Sequence, residues 1–267
     1  MLPGQKVRTM KILVEKMLPR NDRVRQSSAD LFGNDPQSFR SDFTERKAGV
    51  PQLLLVEQPV PGSTILPHYH SQDQFQVFID GKGKLGAHDV GAVMLHYTNR
   101  YTGYGPIVAG DEGLSYYVLR PSFDTLVTGQ YLVNQEMRDK LKSHPGPKRS
   151  VVAKPILPMS PESLQALACM TAEPLIQGME AREAERGLNA EAICLGPNME
   201  LAGPDPAGGG GQVALVIAGA IEHAGMTYAA RGCIAITRDE PALQIRALGG
   251  GAQLLLLQYP HRAAEGV

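Results

Sequence analysis

The sequence predicts an all-β chain made of two barrel-like lobes with a partly helical connection between them. Glycine (29 residues) and proline (20) are abundant, and they separate short apolar runs such as residues 53–56, 76–79 and 116–119. Short strands punctuated by turns are typical of β-sandwiches and β-barrels. A length of 267 residues is enough for two ordinary cores, and an internal repeat indicates that the chain has two.

The repeat consists of two matched stretches. Residues 74–81 resemble residues 212–219, since each begins with glutamine, continues as an apolar strand and closes with glycine. Residues 112–121 resemble residues 251–260 at almost the same offset. Two matches at nearly one spacing indicate the duplication of one β unit. We therefore expect the matched strands to occupy equivalent positions in the two lobes.

The repeat and the helical signals divide the chain into three parts. We expect an N-terminal lobe with an N-terminal extension over residues 1–128, and a second lobe over residues 188–267. Residues 129–187 form the connecting segment, which holds short helices and no third core. Long amphipathic helices are scarce elsewhere in the sequence.

Two helices are predicted within this connecting segment. Residues 135–142 are typical of a short, polar helix. Ser160 is a suitable N-cap, followed by Pro161 at the first helical position and Glu162 in the first turn. We expect this second helix to run through Met170.

Composition and charge exclude several classes of partner. A net charge of −1, without a dense stripe of lysine and arginine, gives no general attraction to nucleic acid. No stretch approaches the roughly 20 apolar residues that cross a bilayer. Residues 1–20 hold only the apolar run 12–14, which is too short for a signal-peptide core. We therefore expect a cytoplasmic protein whose partner is a small molecule, without nucleic-acid or membrane partners.

Two histidines lead into the first repeated strand. On an extended strand, residues of equal parity share one face, so His68, His70 and Gln74 point the same way. Two neighbouring imidazoles suit a divalent transition metal, but they do not select among Zn, Fe, Ni, Mn and Cu. A polar barrel mouth without a bound ligand is the alternative interpretation of the same pair.

The spacing of these residues resembles the first motif of the cupin family, Gly-x5-His-x-His-x3-(Glu)-x6-Gly. The chain matches that motif at Gly62, His68, His70 and Gly81, and it has Gln74 where the family has a glutamate ligand. The resemblance implies a jelly-roll barrel in which His68 and His70 are metal ligands and Gln74 is a further candidate. A neutral amide oxygen should bind a divalent cation more weakly than a carboxylate does.

The second cupin motif, which supplies a further histidine in the family, has no clear counterpart. Strand order places Tyr104 near the expected position, and His96 and His88 are less well placed substitutes. A deprotonated phenol can bind a metal, but a buried tyrosine more often donates a hydrogen bond. Tyr104 is also a candidate catalytic proton donor. We expect it to lie across the barrel from the two imidazoles.

The second lobe departs further from the motif. The repeat offset places Pro206 and Gly208 where the first lobe has His68 and His70, and neither can coordinate a metal through its side chain. The resemblance therefore implies a two-domain cupin with a degenerate C-terminal lobe. A role in packing or dimerisation follows, and we expect a homodimer in which exposed edge strands are covered.

Three hypotheses of function remain open at the level of sequence. The first is a metal-dependent enzyme such as a dioxygenase, an isomerase or a decarboxylase. The second is a non-catalytic protein that binds or senses a small molecule in the same pocket. The third is a metal-free, epimerase-like cupin in which a histidine is the base and a tyrosine the acid. For this last hypothesis the sequence identifies no carboxylate partner for the histidine.

Overall fold

The computed structural model describes residues 11–12, 24–26, 38–124, 126, 130–178 and 185–262. Most of these residues lie in strands, as the sequence predicts. Apart from residues 11–12, the segment considered above as a signal peptide lies outside the described residues.

Strands outnumber helices along the whole described chain. The strands of the first half are β1 (Lys11–Ile12), β2 (Val24–Gln26), β3 (Ser38–Asp42), β4 (Gln52–Gln58), β5 (Thr64–Ile65), β6 (His68–Tyr69), β7 (Gln74–Leu85), β8 (His88–Gly91), β9 (Met94–Thr98), β10 (Ile107–Arg120) and β11 (Gln130–Tyr131). The later elements are α1 (Gln135–Ser143), β12 (Ser150–Val152), α2 (Pro161–Gln165), β13 (Thr171–Gln177), β14 (Asn189–Leu195), β15 (Glu200–Ala202), a 3-10 turn (Pro206–Gly208), β16 (Gln212–His223), β17 (Met226–Ala229), β18 (Cys233–Ile236) and β19 (Gln244–Gln258).

The chain divides into two compact units. The N-terminal lobe is Met17–Leu157, and the C-terminal lobe combines Met1–Lys16 with Pro158–Val267. Helix α1 and strand β12 therefore belong to the N-terminal lobe, whereas α2 and β13 belong to the C-terminal lobe. The segment that the sequence treats as a connection is shared between the two lobes.

The two lobes repeat one strand order. The sheet of the N-terminal lobe runs β12-β9-β7-β10-β4-β3-β2, and that of the C-terminal lobe runs β1-β18-β16-β19-β14-β13. The central pairs are antiparallel, with Val77 opposite Tyr117 on β10 and Leu215 opposite Leu255 on β19. Val77 and Leu215 thus occupy equivalent strands, which confirms the predicted duplication.

Two close glycine contacts fix the register of the repeat. Gly81 (φ 71°) and Gly219 (φ 70°) each lie against the neighbouring central strand. A Cβ atom at either position would stand 2.1 Å from a carbonyl oxygen, that of Gly113 in one lobe and that of Gly251 in the other. Gly251 therefore corresponds to Gly113, one position beyond the Glu112 that the sequence comparison aligns with it. Similar apolar strands hide a one-residue slip in the sequence, and the glycine contact and the strand pairing both reveal it.

The interiors of the two lobes differ in polarity. The core of the C-terminal lobe is an apolar cluster that includes Ile193, Val216, Tyr228, Ile245 and Leu254. The N-terminal lobe has an apolar cluster too, but it also buries many polar side chains, among them Gln52, His68, His70, Asp73, Gln74, Gln76, His96, Arg120 and Asp124. Burial of polar groups is costly unless they are hydrogen-bonded, so the polar interior makes the N-terminal lobe the candidate location of a site.

The helices follow the sequence prediction with one correction. Helix α1 forms as expected, with the Asn134 side chain accepting a hydrogen bond from the backbone N–H of Met137. Helix α2 begins after Ser160 but ends at Gln165, well before Met170. The chain turns there to enter β13, and Met170 is 47% exposed. Among the described residues, no helix is long and apolar enough to cross a membrane.

Candidate functional site

The structure brings the four sequence-predicted side chains together inside the N-terminal lobe. His68 lies on β6, His70 directly after it, Gln74 at the start of β7 and Tyr104 between β9 and β10. All four are buried. The ring centroids of His68 and His70 are 5.1 Å apart, and those of His68 and Tyr104 are 4.5 Å apart. The chain bends at Ser71 and Gln72, so His68, His70 and Gln74 lie in one cluster without sharing the single extended strand that the sequence predicts.

Tyr104 is a direct neighbour of His68 and does not lie across the barrel from it. Each backbone N–H donates to the carbonyl oxygen of the other residue, at 3.1 Å and 3.0 Å. The Nδ1 atom of His68 is 2.7 Å from the carbonyl oxygen of Leu66, which can only accept, so Nδ1 carries the proton. Nε2 then accepts a hydrogen bond of 2.8 Å from the Tyr104 hydroxyl.

Gln74 links Tyr104 to a buried arginine. Its side-chain N–H donates to the Tyr104 hydroxyl oxygen at 2.6 Å. Its carbonyl oxygen accepts from Nε of Arg120 at 3.0 Å, and Nη1 of Arg120 donates to the side-chain oxygen of Gln52 at 2.7 Å. The oxygen of Gln74 that was predicted to face a metal therefore faces a cation of the protein itself.

Asp124 gives His70 the carboxylate partner that the sequence did not reveal. Nδ1 of His70 is in short hydrogen-bond contact with a carboxylate oxygen of Asp124. The other oxygen accepts from the Ser71 hydroxyl and, at 3.1 Å, from the backbone N–H of Leu126. Asp124 is fully buried. These bonds fix the orientation of His70 and leave Nε2 as the ring nitrogen with a lone pair.

Neither Arg120 nor Asp124 was predicted from the sequence. Arg120 lies within the second matched stretch, and a charged residue directly after the apolar run 116–119 was an available signal. Asp124 lies beyond both matched stretches, and no spacing connects it with His70. Strands β7 and β10 are antiparallel, so the end of β10 lies beside the start of β7. This pairing brings Arg120 and Asp124 close to the two histidines.

The electrostatics of the cluster favour neutral imidazoles beside an ionised carboxylate. Burial lowers the pKa of His68 to about 4, although its bond to Leu66 opposes the shift. Burial, and next the charge of Arg120, lower the pKa of His70. Burial raises the pKa of Asp124, but its bond to His70 and the nearby charges outweigh this and leave it below the ordinary value. Burial raises the pKa of Tyr104 above its ordinary value, so the phenol stays protonated.

The two substitute histidines do not complete a metal site. His96 is buried with its ring centroid 5.3 Å from that of Tyr104. Its Nδ1–H donates to the Gln76 side chain at 2.7 Å, and its Nε2 accepts from the Ser150 hydroxyl at 2.8 Å. Both ring nitrogens are therefore occupied. His88 lies exposed on β8.

The donor set, as arranged, does not fit a divalent metal. Such a centre normally has about three firm protein ligands, and the described part of the chain holds no group of three or more His, Cys, Asp or Glu side chains placed for one. The lone pair of His68 is bonded to Tyr104, and the oxygen of Gln74 to Arg120. A buried guanidinium beside the imidazoles also repels a second cation.

The equivalent region of the C-terminal lobe has lost this chemistry. Pro206 lies in a 3-10 turn where the first lobe has His68. Gln212, the counterpart of Gln74, donates to the side-chain oxygen of Gln258 at 2.8 Å, and Gln258 stands where the first lobe has Arg120. A neutral amide pair thus replaces the pair of glutamine and arginine.

Comparison with known proteins identifies the fold. No protein-family model matches the sequence, and no curated protein is similar to it in sequence. A candidate dioxygenase from Nostoc punctiforme superposes with a TM-score of 0.55 and 11% identity over 85% of this chain and 75% of that one. A single-site variant of Bacillus subtilis oxalate decarboxylase gives 0.51 and 14% over 85% and 74%.

A plant protein shows the same likeness. The 11S globulin from Wrightia tinctoria, whose structure reveals an auxin binding site, gives a TM-score of 0.52 and 13% identity over 85% of this chain and 80% of that one. Mn(II) centres are described in the Bacillus subtilis decarboxylase. Proteins of such different roles share this architecture, so the likeness establishes the fold and leaves the chemistry to the site itself.

Proposed function

The chain has the cupin fold in two copies, and from that premise we propose that its N-terminal lobe is a metal-independent acid–base site acting on a small organic molecule. The reaction class is proton transfer at a carbon next to a carbonyl group, as in isomerisation or epimerisation. The buried pair of His70 and Asp124 is the observation that carries the proposal. It supplies the carboxylate that the epimerase-like hypothesis lacked.

His70 is the base in this proposal. Its Nδ1–H is held by the carboxylate of Asp124, so its Nε2 keeps the lone pair that a base requires. When Nε2 accepts a proton, the ionised carboxylate stabilises the imidazolium that forms. The lowered pKa of His70 keeps the base unprotonated at neutral pH.

Arg120 and Tyr104 stabilise the negative charge that proton removal creates on the substrate. Breaking the carbon–hydrogen bond sends its electron pair toward the carbonyl oxygen of the substrate. Arg120 is a fixed positive charge oriented by the neutral amides of Gln74 and Gln52, and such a preorganised cation stabilises a developing oxyanion. The Tyr104 hydroxyl is protonated, and it can donate to the same oxygen once it turns its proton away from Nε2 of His68. In an isomerisation the His70 imidazolium returns the proton to the neighbouring carbon, and in an epimerisation a proton from solvent adds to the opposite face of the same carbon. Neither reaction needs an oxidant.

A metal-dependent activity is the second candidate. Two imidazoles with centroids 5.1 Å apart, in a fold whose oxalate decarboxylase member has Mn(II) centres, favour it. Such a site would require Tyr104 to leave Nε2 of His68 and Gln74 to turn its oxygen away from Arg120. Binding of a small molecule without turnover, the remaining alternative, would use the same groups.

Hydrogen–deuterium exchange with solvent tests the proposal. Any substrate of this reaction class exchanges the proton next to its carbonyl group, so a panel of compounds can be screened. The full chain, treated with EDTA and dialysed, is incubated in D2O with keto acids, aldoses and ketoses, and proton NMR follows loss of the signal next to the carbonyl. We expect exchange of at least one compound without added metal. The Asp124→Asn variant should reduce the exchange rate by about 100-fold or more, in line with general-base contributions.

A matched variant makes this test specific. Asp89→Asn removes an exposed carboxylate of the same lobe that pairs with Lys84, and it should leave the exchange rate unchanged. Exchange that vanishes with EDTA and returns with Mn(II) or Zn(II) would contradict the proposal and support the metal-dependent candidate.

A further inference from the structure

A cavity of about 440 Å³ lies in the N-terminal lobe next to the acid–base site. Tyr104 borders both, since it lines the cavity and also bonds to His68 and Gln74. A volume of several hundred cubic ångströms is typical of small-molecule pockets. The cavity is therefore large enough to hold a ligand that reaches Tyr104.

One side of the cavity is apolar. Leu132, whose backbone N–H donates to the carbonyl oxygen of Pro67 at 2.8 Å, and Leu141 of α1 form this side. Gly103 lies beneath both leucines, because a Cβ atom there would stand 2.7 Å from Cδ1 of Leu132 and 3.1 Å from Cδ2 of Leu141. A methyl group at this position would push the leucines into the cavity.

The rest of the lining offers hydrogen-bond donors and positive charge. Thr102 is only 6% exposed, and its hydroxyl has no hydrogen-bond partner, which is costly for a buried polar group. Lys142 and Lys148 also line the cavity. Lys142 pairs with Asp139 at 2.9 Å and Lys148 donates to the carbonyl oxygen of His144 at 3.0 Å, so each ammonium keeps donors to spare.

We propose that this cavity binds a small organic carboxylate, whose anionic group meets Lys142, Lys148 and the Thr102 hydroxyl while its apolar body lies on Leu132 and Leu141. An apolar wall beside unsatisfied donors and lysines fits an amphipathic anion better than a sugar or a bare inorganic anion. The inference rests on the proposed function in one respect, because it names the substrate class of that site as organic acids.

Calorimetric titration of the full chain with benzoate, benzamide and inorganic phosphate tests the inference. Benzamide has the shape of benzoate without the charge, and phosphate has the charge without the apolar body. We expect benzoate to bind at least tenfold more tightly than either. Equal affinity for benzoate and benzamide, or for benzoate and phosphate, would overturn the inference, as would no binding of benzoate.

Variants locate the binding. Lys148→Gln and Thr102→Val should each weaken benzoate binding by about threefold to tenfold, and Gly103→Ala should weaken it by obstructing the apolar side. Lys140→Gln is the control, since Lys140 lies on the same helix as Lys142 and donates to Gln130. Equal weakening by Lys140→Gln and Lys148→Gln would show general charge attraction and overturn the inference.

The two proposals can fail separately. Benzoate binding should persist in Asp124→Asn, because Asp124 does not line the cavity. Selective benzoate binding without solvent exchange would support the inference and leave the acid–base function unsupported. Exchange restricted to uncharged carbonyl compounds, together with no preference for benzoate, would support the function and overturn the carboxylate assignment.

Discussion

At the scale of single residues, one buried cation distinguishes the two lobes. Arg120 bonds to Gln74 in the N-terminal lobe, whereas Gln258 bonds to Gln212 at the equivalent place in the C-terminal lobe. Burial lowers the pKa of both site histidines most, and the charge of Arg120 lowers each pKa further. We propose that the arginine supplies the positive charge of this site.

Replacing Arg120 by glutamine copies the C-terminal arrangement into the site. We expect Arg120→Gln to raise the pKa of His70, because it removes a charge that disfavours the imidazolium. NMR titration of histidine ring protons measures the change. Lys84→Gln, which removes an exposed charge of the same lobe, is the control. An unchanged pKa in Arg120→Gln would show that the guanidinium does not act on the site.

The lowered histidine pKa values also predict acid sensitivity. Burial lowers the pKa of His68 to about 4 and of His96 to about 3, whereas an unfolded histidine titrates near 6.5. As pH falls below about 6.5 the unfolded chain binds protons that the folded chain does not, so the free energy of unfolding decreases, by up to about 1.4 kcal/mol per pH unit for each histidine. Stability from these groups is complete above that pH and is lost toward pH 4.

Urea denaturation at intervals between pH 7 and pH 4 measures this dependence. His96→Gln should flatten the curve, because a neutral amide does not titrate. A free energy of unfolding that stays constant over this range, or that increases toward pH 4, would contradict the claim that the buried histidines are neutral in the folded chain.

The sequence was informative about part of the site for a physical reason. His68, His70 and Gln74 lie near one another in the chain, and strand periodicity predicted a common face for them, although a bend at residues 71–72 interrupts the strand. Arg120 and Asp124 reach them only through strand pairing, and the direct contact of Tyr104 with His68 depends on a backbone bridge. The hydrogen bonds that occupy Gln74 and His68 could not be predicted, because they depend on those distant partners.

At the scale of elements, the repeated central strands are held by the same glycine contact in both lobes. The apolar pattern and the repeat predicted these strands, whereas helix α2 was predicted too long because periodicity alone does not register the turn into β13. The contact also explains why the repeats end in glycine, since the backbone at Gly219 has φ 70° and touches the carbonyl oxygen of Gly251. Both the positive φ angle and the close carbonyl oxygen therefore exclude a side chain at that position.

Gly219→Ala should therefore destabilise the chain by about 2–4 kcal/mol, a size typical of strain at a special backbone conformation. Gly249→Ala, in β19 of the same lobe, is the control, because nothing lies within 4 Å of a Cβ there. Chemical denaturation compares the two variants. Equal midpoints would show that the glycine contact does not determine the register.

At the scale of the whole molecule, the chain has two copies of one scaffold, and the chemistry that we propose lies in one of them. The C-terminal lobe retains the strand order but fills its interior with apolar side chains. The packing or dimerisation role of this lobe, and the cytoplasmic location, stay predictions.

A homodimer is the expected oligomeric state, because exposed edge strands favour pairing with a second copy. Sedimentation equilibrium at micromolar concentration should give about twice the chain mass of 28.8 kDa. A single species of 28.8 kDa would remove this prediction without affecting the site.

We propose that His70 works with Asp124 without a metal, and long-range proton–nitrogen NMR of histidine-labelled protein tests this most directly. We expect His70 at pH 7 as the neutral Nδ1–H form with a strongly deshielded ring proton, and we expect signals of His68 and His70 to be unchanged by one equivalent of Mn(II). Selective broadening of both histidines by Mn(II), reversed by EDTA, would contradict the account and place a metal at the site.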